Sequence, residues 1–235
     1  MKPVAVFRHS ATEGPGYFAT FLAGRNIPMA LIRVDAGDAV PKDVGVYSGL
    51  VFMGGPMSVN DELPWIPPVL AAIREAVRRD IPVLGHCLGG QLMSKALGGA
   101  VGRNPVKEIG WGEVGVLDNP AAHAWFDGAP GRFLSFHWHG ETFTLPEGAT
   151  RILESAYCPN QAWALGKHLA MQCHVEMTRE MIETWCAVGA DELKVADGPA
   201  VQTPEQMEEG MDARLAVLNG VATQLYEHWI LGLKG

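Results

Sequence analysis

The sequence predicts a three-layer α/β domain, with helices on both faces of a mostly parallel central sheet. Short apolar runs alternate with helix-like segments through the first hundred residues, and this alternation is typical of parallel sheets covered by helices. After Val101 the apolar runs follow one another directly across turns of Gly, Pro and Asn. This change predicts an added antiparallel portion in the second half, which completes the same sheet.

In the first half, strands are predicted from short apolar runs and helices from apolar residues at helical spacing, such as Val69, Ile73 and Val77. The predicted strands are Pro3–Phe7, Met29–Val34, Tyr47–Met53 and Ile81–Leu84, and the predicted helices are Tyr17–Ala23, Pro64–Arg79 and Leu88–Leu97. Three loops then meet at the carboxyl edge of the strands, where such sheets bind ligands. They are His9–Gly16, Gly54–Asp61 and the turn around Cys87.

In the second half, five short strands and two helices are expected. The strands are Trp111–Leu117, Phe133–Phe136, Arg151–Ala156, Ala162–Gly166 and Leu169–Cys173, and the helices are Thr178–Val188 and Pro204–Leu231. Thr203 is the predicted N-cap of the last helix, and residues 189–202 are expected to form a polar connector. The last helix is expected either to cover the sheet or to form a dimer contact.

Length and composition favour one globular domain over residues 1–235, with a catalytic core at about 4–179 and a C-terminal helical extension at 180–235. The net charge of −8 argues against a nucleic-acid partner, which would require a basic face. No apolar run approaches membrane-spanning length, and no signal peptide is apparent. The four cysteines show no metal-ligand spacing. A reducing, cytoplasmic location is therefore expected.

The segment Gly85-His86-Cys87-Leu88-Gly89 predicts a sharp turn between a strand and a helix. Glycines on both sides of the apex allow two backbones to approach closely, as in a nucleophile elbow. A thiol at a helix N-terminus is placed where negative charge is stabilised. Cys87 is therefore a candidate nucleophile; the alternative is a buried structural cysteine beside a tight turn.

A cysteine nucleophile needs a base, and the base usually needs an orienting acceptor. His174 and Glu176 lie two apart at the end of an apolar strand, so their side chains should point to the same side. Taken alone, a surface His–Glu pair at the end of a strand is the slightly better interpretation. His86 is expected to point away from Cys87, and His9, in a loop, is expected to be solvated.

Together these segments resemble the class I (triad) glutamine amidotransferases, in the form of a stand-alone chain similar to the glutaminase domain of GMP synthase. Gly-His-Cys-Leu-Gly-Gly-Gln, from Gly85, matches the family's G-x-C-x-G-x-Q elbow, and Gln172-Cys173-His174-Val175-Glu176 resembles its Q-F-H-P-E segment. The resemblance spans about residues 4–179 and implies a flavodoxin-like sheet. It implies that Cys87 is the nucleophile, His174 the base and Glu176 its orienter.

The same resemblance implies the rest of the site. Gly54-Gly55-Pro56 matches the family's oxyanion turn, so the Gly55 and Leu88 N–H groups are expected to form the oxyanion hole. The residues expected to bind substrate are Gln91, Met57, Trp138, His139, Gly140 and Glu141. Cys173 and Val175 replace the family's aromatic residue and proline; neither position supplies a catalytic group.

Three functions remain open at this point. The first is a glutaminase that releases ammonia and glutamate through a γ-glutamyl thioester and delivers the ammonia to a separate synthetase. The second is a γ-glutamyl peptidase or hydrolase that acts alone on a γ-glutamyl amine or peptide. The third is a non-catalytic regulatory module on the same scaffold. None of them requires a metal or an organic cofactor, and no phosphate-binding loop for ATP is present.

Overall fold

The computed structural model describes residues 1–235, which form a nine-stranded mixed sheet and eight α-helices. The strands are β1 (Val4–Arg8), β2 (Met29–Arg33), β3 (Gly49–Phe52), β4 (Val83–His86), β5 (Val101–Val116), β6 (Arg132–Phe143), β7 (Thr150–Ser155), β8 (Ala162–Leu165) and β9 (His168–Met171). The helices are α1 (Tyr17–Gly24), α2 (Ile66–Arg78), α3 (Leu88–Ala96), α4 (Pro120–Trp125), α5 (Arg179–Val188), α6 (Ala190–Val195), α7 (Pro204–Glu208) and α8 (Met211–Ile230).

The sheet order is β2-β1-β3-β4-β9-β8-β7-β5-β6. The first five strands in this order are parallel, and the remaining pairs are antiparallel. This confirms the predicted fold class, including the antiparallel portion in the second half. Because β9 comes back beside β4, the chain segments that follow these two strands emerge next to each other at the carboxyl edge of the parallel part.

Two apolar cores cover the two faces of the sheet, because alternate residues of a strand point to opposite sides. Val4 and Val6 belong to the core built with α1, α4, α5 and α8. Ala5 and Phe7, from the same strand, belong to the core built with α2 and α3. β1 is buried on both faces, as its continuous apolar run predicts.

Helix α8 covers the sheet beside α1. Its Tyr226 and Trp229 side chains are buried and pack edge-on against Phe18, with ring centroids 4.8 and 5.8 Å away. The Tyr17 hydroxyl lies 2.8 Å from the Thr223 hydroxyl. Of the two expected arrangements, the structure therefore shows the covering one. No helix of the chain combines the length and the apolar character needed to cross a membrane.

Several boundaries differ from the sequence-based expectation in the second half. β5 begins at Val101 rather than Trp111, and β6 runs from Arg132 to Phe143 rather than ending at Phe136. The segment expected to be one helix from Pro204 to Leu231 is divided at Gly210, whose φ of 62° is incompatible with a continuous right-handed helix. Helix α4, capped by the Asn119 side chain, was not predicted, and α6 lies inside the expected polar connector.

Candidate active site

The turn between β4 and α3 holds Cys87 in a strained backbone conformation. Its φ is 49° and its ψ is −107°, a region that non-glycine residues rarely adopt. The Cys87 N–H donates to the Met171 carbonyl at 2.8 Å, which ties the turn to the end of β9. A methyl group at Gly89 would overlap the Phe52 carbonyl oxygen. Only a glycine therefore allows α3 to begin so close to β3.

Beyond the end of β9, the extended chain carries His174 and Glu176. The His174 Nδ1 lies 2.7 Å from Glu176 Oε1, and both side chains are about 1% exposed. The His174 N–H donates to the Phe136 carbonyl at 2.8 Å, and the Trp185 ring packs edge-on against the imidazole at 4.8 Å. These contacts fix the imidazole ring in position and direct it toward the end of β4.

Electrostatics favour a charged imidazole beside a charged carboxylate. Burial alone would raise the pKa of Glu176, but the charges of His86 and His174 and the hydrogen bond from His174 lower that pKa to about 2. Burial alone would lower the pKa of His174, yet the negative charge of Glu176 and the interaction with Cys87 hold it well above its ordinary value. The pair can thus hold a proton on His174 next to Cys87.

His86, which was expected to point away from Cys87, contacts the carboxylate of this pair. Its Nε2 lies 3.1 Å from the Tyr226 hydroxyl and 3.7 Å from Glu176 Oε2, and the side chain is fully buried. Glu176 therefore faces an imidazole with each of its carboxylate oxygens. Sequence patterns do not show this contact, because Tyr226 is 140 residues away on α8.

Gln172 is a second polar neighbour of the Cys87 thiol. The sequence analysis assigned no function to this residue. Its Nε2 donates to Cys87 Sγ at 3.4 Å, and its Oε1 accepts from Gln91 Nε2 at 3.1 Å. Gln91 Nε2 also contacts the Glu141 carbonyl at 3.4 Å. The amides therefore form a chain that leads from the thiol to the far wall of the site. The sequence signals for Gln172 are its place as the first residue of the Gln172–Glu176 segment and its two-residue spacing to His174.

A cavity of about 590 Å³ opens over Cys87 and His174. Of the candidate residues, seven others line it as well: Gly55, Met57, Gln91, Trp138, His139, Gly140 and Glu141. Leu88 and Glu176 are buried outside the lining, Leu88 as the first residue of α3. The Leu88 N–H has no acceptor within its own helix, and the Gly55 N–H donates to no group of the protein. Both donors are therefore available to a ligand.

Several of the lining side chains already contact other protein groups. The Ser58 hydroxyl donates to Glu141 Oε2 at 2.9 Å. Nδ1 of His139 contacts the Glu141 carbonyl at 3.0 Å, and its Nε2 lies 3.1 Å from Glu108 Oε2 without forming a hydrogen bond, so both ring nitrogens face protein groups. This part of the wall therefore presents mainly backbone and the Trp138 side chain to the cavity. Trp138 Nε1 donates to Glu192 Oε2 at 2.9 Å, and Glu192 also pairs with Lys107.

The loop after β1 contributes Glu13 to the cavity wall. A methyl group at Gly54 would contact both the Glu13 carboxylate and His174 Cε1, so the carboxyl lies close to the imidazole. Burial and the charge of Glu176 raise the pKa of Glu13 to about 7, although His174 opposes the change. A carboxyl group that titrates near neutrality therefore borders the site.

His9, expected to be solvated, is instead buried. Its Nδ1 lies 2.9 Å from the Met53 carbonyl, and its ring packs at 4.9 Å on Trp65. Burial lowers the pKa of His9 to about 4, so the ring is neutral at physiological pH. The chain after Arg8 turns inward beneath the loop 54–61, which sequence patterns did not reveal. His9 thus supports the Gly54–Gly55 turn from behind.

Comparisons with known proteins agree with this geometry. The family model for class-I glutamine amidotransferases matches residues 20–184. The chain belongs to the class-I glutamine amidotransferase family. A glutamine amidotransferase-like protein of Salmonella typhimurium, YfeJ, is 32% identical over 196 residues, which cover 81% of this chain and 82% of that protein.

Two further relatives place this amidotransferase within the family. The GMP synthase of Aeropyrum pernix is 34% identical over 164 residues, and the match covers 66% of this chain but only 29% of that enzyme. The crystal structure of a glutamine amidotransferase from Methylobacillus flagellatus is 45% identical, with a TM-score of 0.97 over all of this chain and 96% of that one. The likeness to that structure thus includes α8, which lies beyond the family-model match.

Proposed function

We propose that this amidotransferase is a cysteine-dependent enzyme that hydrolyses the side-chain amide of glutamine to glutamate and ammonia. The observation that carries the proposal is the buried 2.7 Å contact between His174 and Glu176 beside the strained Cys87 turn. A nucleophile, a base and an acceptor for the base are the components of covalent acyl transfer. A regulatory module without activity would have no need of them.

The proposed reaction begins when His174 takes the proton of the Cys87 thiol and the sulfur attacks the amide carbon. The tetrahedral intermediate collapses as His174 returns that proton to the leaving nitrogen, which departs as ammonia. His174 then activates a water molecule, which hydrolyses the γ-glutamyl thioester and regenerates the thiol. Glu176 holds the Nδ1–H of His174 throughout and stabilises the imidazolium form.

The Gly55 and Leu88 N–H groups are the proposed oxyanion donors. Neither has an acceptor that a substrate oxygen would have to displace. Donors of this kind typically contribute a factor of about a hundred to a thousand in rate. The α3 N-terminus adds its dipole to the same position, because Leu88 is the first helical residue.

The amino-acid end of glutamine is proposed to lie on the side of the cavity away from His174. This wall is made by Met57, Gln91, Trp138 and the segment His139–Glu141. The Gln172–Gln91 amide chain links it to Cys87, so the scissile amide and the amino-acid end would be held by connected groups.

A second candidate, a γ-glutamyl amide hydrolase that acts alone, is supported by the shape of the cavity. The cavity is also lined by Trp185, Val188 and Gly189, and the Trp185 ring packs against His174 at 4.8 Å. His174 must face the leaving nitrogen, so a substituent on that nitrogen is proposed to contact Trp185. The volume of about 590 Å³ falls in the range of about 300–1,000 Å³ that is typical of small-molecule sites.

An ammonia-accepting partner is proposed from the relatives alone. GMP synthases match this chain over about a quarter of their length, so the remaining part of those enzymes has no counterpart in these 235 residues. A separate synthetase that receives ammonia is the corresponding partner for the glutaminase function.

The decisive assay supplies the purified chain with glutamine and, separately, with γ-glutamyl amides and γ-glutamyl dipeptides, in the presence of hydroxylamine. A thioester intermediate gives γ-glutamyl hydroxamate, which is measured directly. Cys87→Ala should lower the rate of hydroxamate formation at least a thousandfold, because no other thiol lines the cavity. Cys186→Ala, which alters another buried cysteine outside the cavity, is the matched control and should retain activity.

The two substrates separate the two candidate functions. Faster turnover of substituted γ-glutamyl amides than of glutamine favours the hydrolase that acts alone. Glutamine turnover that rises when a synthetase is added favours the ammonia donor. A Cys87→Ala protein that keeps a tenth or more of wild-type hydroxamate formation would contradict both.

A further inference from the structure

Behind one wall of the proposed active site, a buried cluster brings two imidazoles and a carboxylate together. Glu108 on β5 lies directly opposite His139 on β6, and His137 is on the same face two residues earlier. All three side chains are buried. Ring nitrogens and a carboxylate oxygen from the three residues lie within 4.8 Å of one another.

Hydrogen bonding leaves one nitrogen of this cluster without a partner. His139 Nδ1 lies 3.0 Å from the Glu141 carbonyl, which only an N–H can satisfy. Its Nε2 lies 3.1 Å from Glu108 Oε2 but is not aligned for a hydrogen bond, and it has no other partner. A buried ring nitrogen and a carboxylate oxygen that lie 3.1 Å apart without a hydrogen bond are a pair that a cation, either a proton or a metal ion, can bridge.

Neighbouring groups orient Glu108 and His139 by hydrogen bonds, as neighbouring groups commonly do for metal ligands. Glu108 Oε1 accepts from the Ser155 hydroxyl at 2.8 Å, and Oε2 accepts from Gln161 Nε2 at 2.9 Å. The Nδ1–H of His139 is fixed by a backbone carbonyl. Contacts of this kind set the tautomer of a ligating histidine and orient a ligating carboxylate. Gln161 Oε1, also buried, has no hydrogen-bond partner.

The cluster is reachable from solvent through a second cavity. Glu108 and His137 line a cavity of about 490 Å³, together with Ser155, Tyr157 and Gln202. None of its lining residues belongs to the cavity over Cys87. An ion can therefore enter from this side without passing through the proposed active site.

We propose that Glu108, His137 and His139 form a binding site for a divalent first-row transition-metal ion of the zinc class. Two imidazoles and one carboxylate suit Zn²⁺, Fe²⁺ or Co²⁺ and leave coordination positions for water or a small ligand from the second cavity. The ion would join β5 to β6 beside His139 and Gly140, which wall the cavity over Cys87. Because His139 also belongs to that wall, the ion would lie directly behind the surface proposed to hold the amino-acid end of glutamine, although it takes no part in the proposed amide hydrolysis.

The test titrates metal into the full-length Cys87→Ala protein after removal of metal by chelation. The substitution excludes binding of the ion to the Cys87 thiolate. Co²⁺ is followed by its visible absorption and Zn²⁺ by calorimetry. One equivalent of each is expected to bind, and Glu108→Gln and His137→Gln, each in the same background, should weaken binding at least tenfold. His123→Ala removes an exposed histidine, and this control should leave binding unchanged.

Zinc-soaked crystals of Cys87→Ala provide a second test that requires no change to the buried cluster. An anomalous scattering peak between the three side chains supports the site even where a cluster variant fails to fold. Absence of saturable binding, equal binding by the variants and their background protein, or a peak elsewhere would overturn the proposal.

Discussion

Replacing Glu176 by Gln tests the electrostatic basis of the proposed mechanism. Gln keeps an oxygen that can accept from His174 Nδ1–H, so the variant removes the negative charge with little change of shape. The pKa of Glu176 is about 2 against an ordinary 4.5. At 1.36 kcal/mol for each pKa unit, this net difference, to which His86 and His174 both contribute against the effect of burial, corresponds to about 3 kcal/mol in favour of the charged Glu176. The same interaction stabilises the imidazolium formed when Cys87 loses its proton.

The expected result is a fall of roughly a hundredfold in kcat/KM, since about 3 kcal/mol corresponds to about two powers of ten in rate. This fall is measured from initial rates at low and at saturating substrate concentration, with whichever of glutamine and the γ-glutamyl amides the wild-type protein turns over faster. Glu183→Gln is the matched control, because Glu183 is exposed and pairs with Arg179 on the surface of α5. Its kcat/KM should stay within about twofold of wild type.

A stability measurement checks the same charge pair without any assumption about activity. The folded-state pKa of Glu176 is depressed, so its contribution to stability is present above about pH 4.5 and is lost as pH falls toward 2. The difference in free energy of unfolding between wild type and Glu176→Gln should therefore be largest near neutrality and more than half lost by about pH 3. A variant with kcat/KM within threefold of wild type, and no stability difference at pH 7, would refute the reasoning.

Three further changes have defined outcomes. Gln172→Leu removes the amide contacts to Cys87 and Gln91 and should lower kcat/KM about tenfold, because one such hydrogen bond contributes about 1.5 kcal/mol; an unchanged value would mean that the thiol does not need this donor. Gly89→Ala should lower the free energy of unfolding in urea by at least about 2 kcal/mol, because its methyl group overlaps the Phe52 carbonyl. Gly102→Ala, with no atom near the added methyl group, should change it by less than about 0.5 kcal/mol; equal effects would contradict the packing argument. His168 has a pKa lowered by burial to about 4, and its Nδ1 accepts the Val83 N–H at 3.2 Å. The unfolded chain therefore binds the proton first as pH falls below 6.5, and stability decreases toward pH 4. His168→Asn keeps an acceptor, so about 2 kcal/mol of the loss between pH 7 and pH 5 should disappear in chemical-denaturation curves; an unchanged pH slope would contradict it.

The parallel half of the fold is predictable because its strands are buried on both faces. A continuous apolar run such as Leu50–Phe52 has no other stable place in a globular chain. The start of β5 is hidden because Arg103 and Lys107 interrupt the apolar pattern, and the pairing with β6 shifts register between Arg103 and Glu108. Edge positions of a sheet tolerate such polar residues, so local pattern does not identify them.

Local sequence pattern likewise predicts only part of the candidate site. The motifs around Cys87 and His174 name the residues that the structure brings to one edge, because each motif is local in sequence. His86 and Gln172 act through contacts across 81 to 140 residues of chain, and Glu13 acts through burial that no local pattern records. His9 illustrates the second case, since its burial depends on a loop that begins after β3.

The contact between Tyr226 and His86 sets a limit on how this chain can be shortened or recombined. The family model ends at residue 184, so a protein cut there would retain every residue of the proposed triad. It would lose the hydroxyl that faces His86 behind Glu176 and the aromatic rings that cover Phe18. The proposed triad alone would then give an inactive or unfolded protein. The unit that must stay intact in this chain extends to the end of α8.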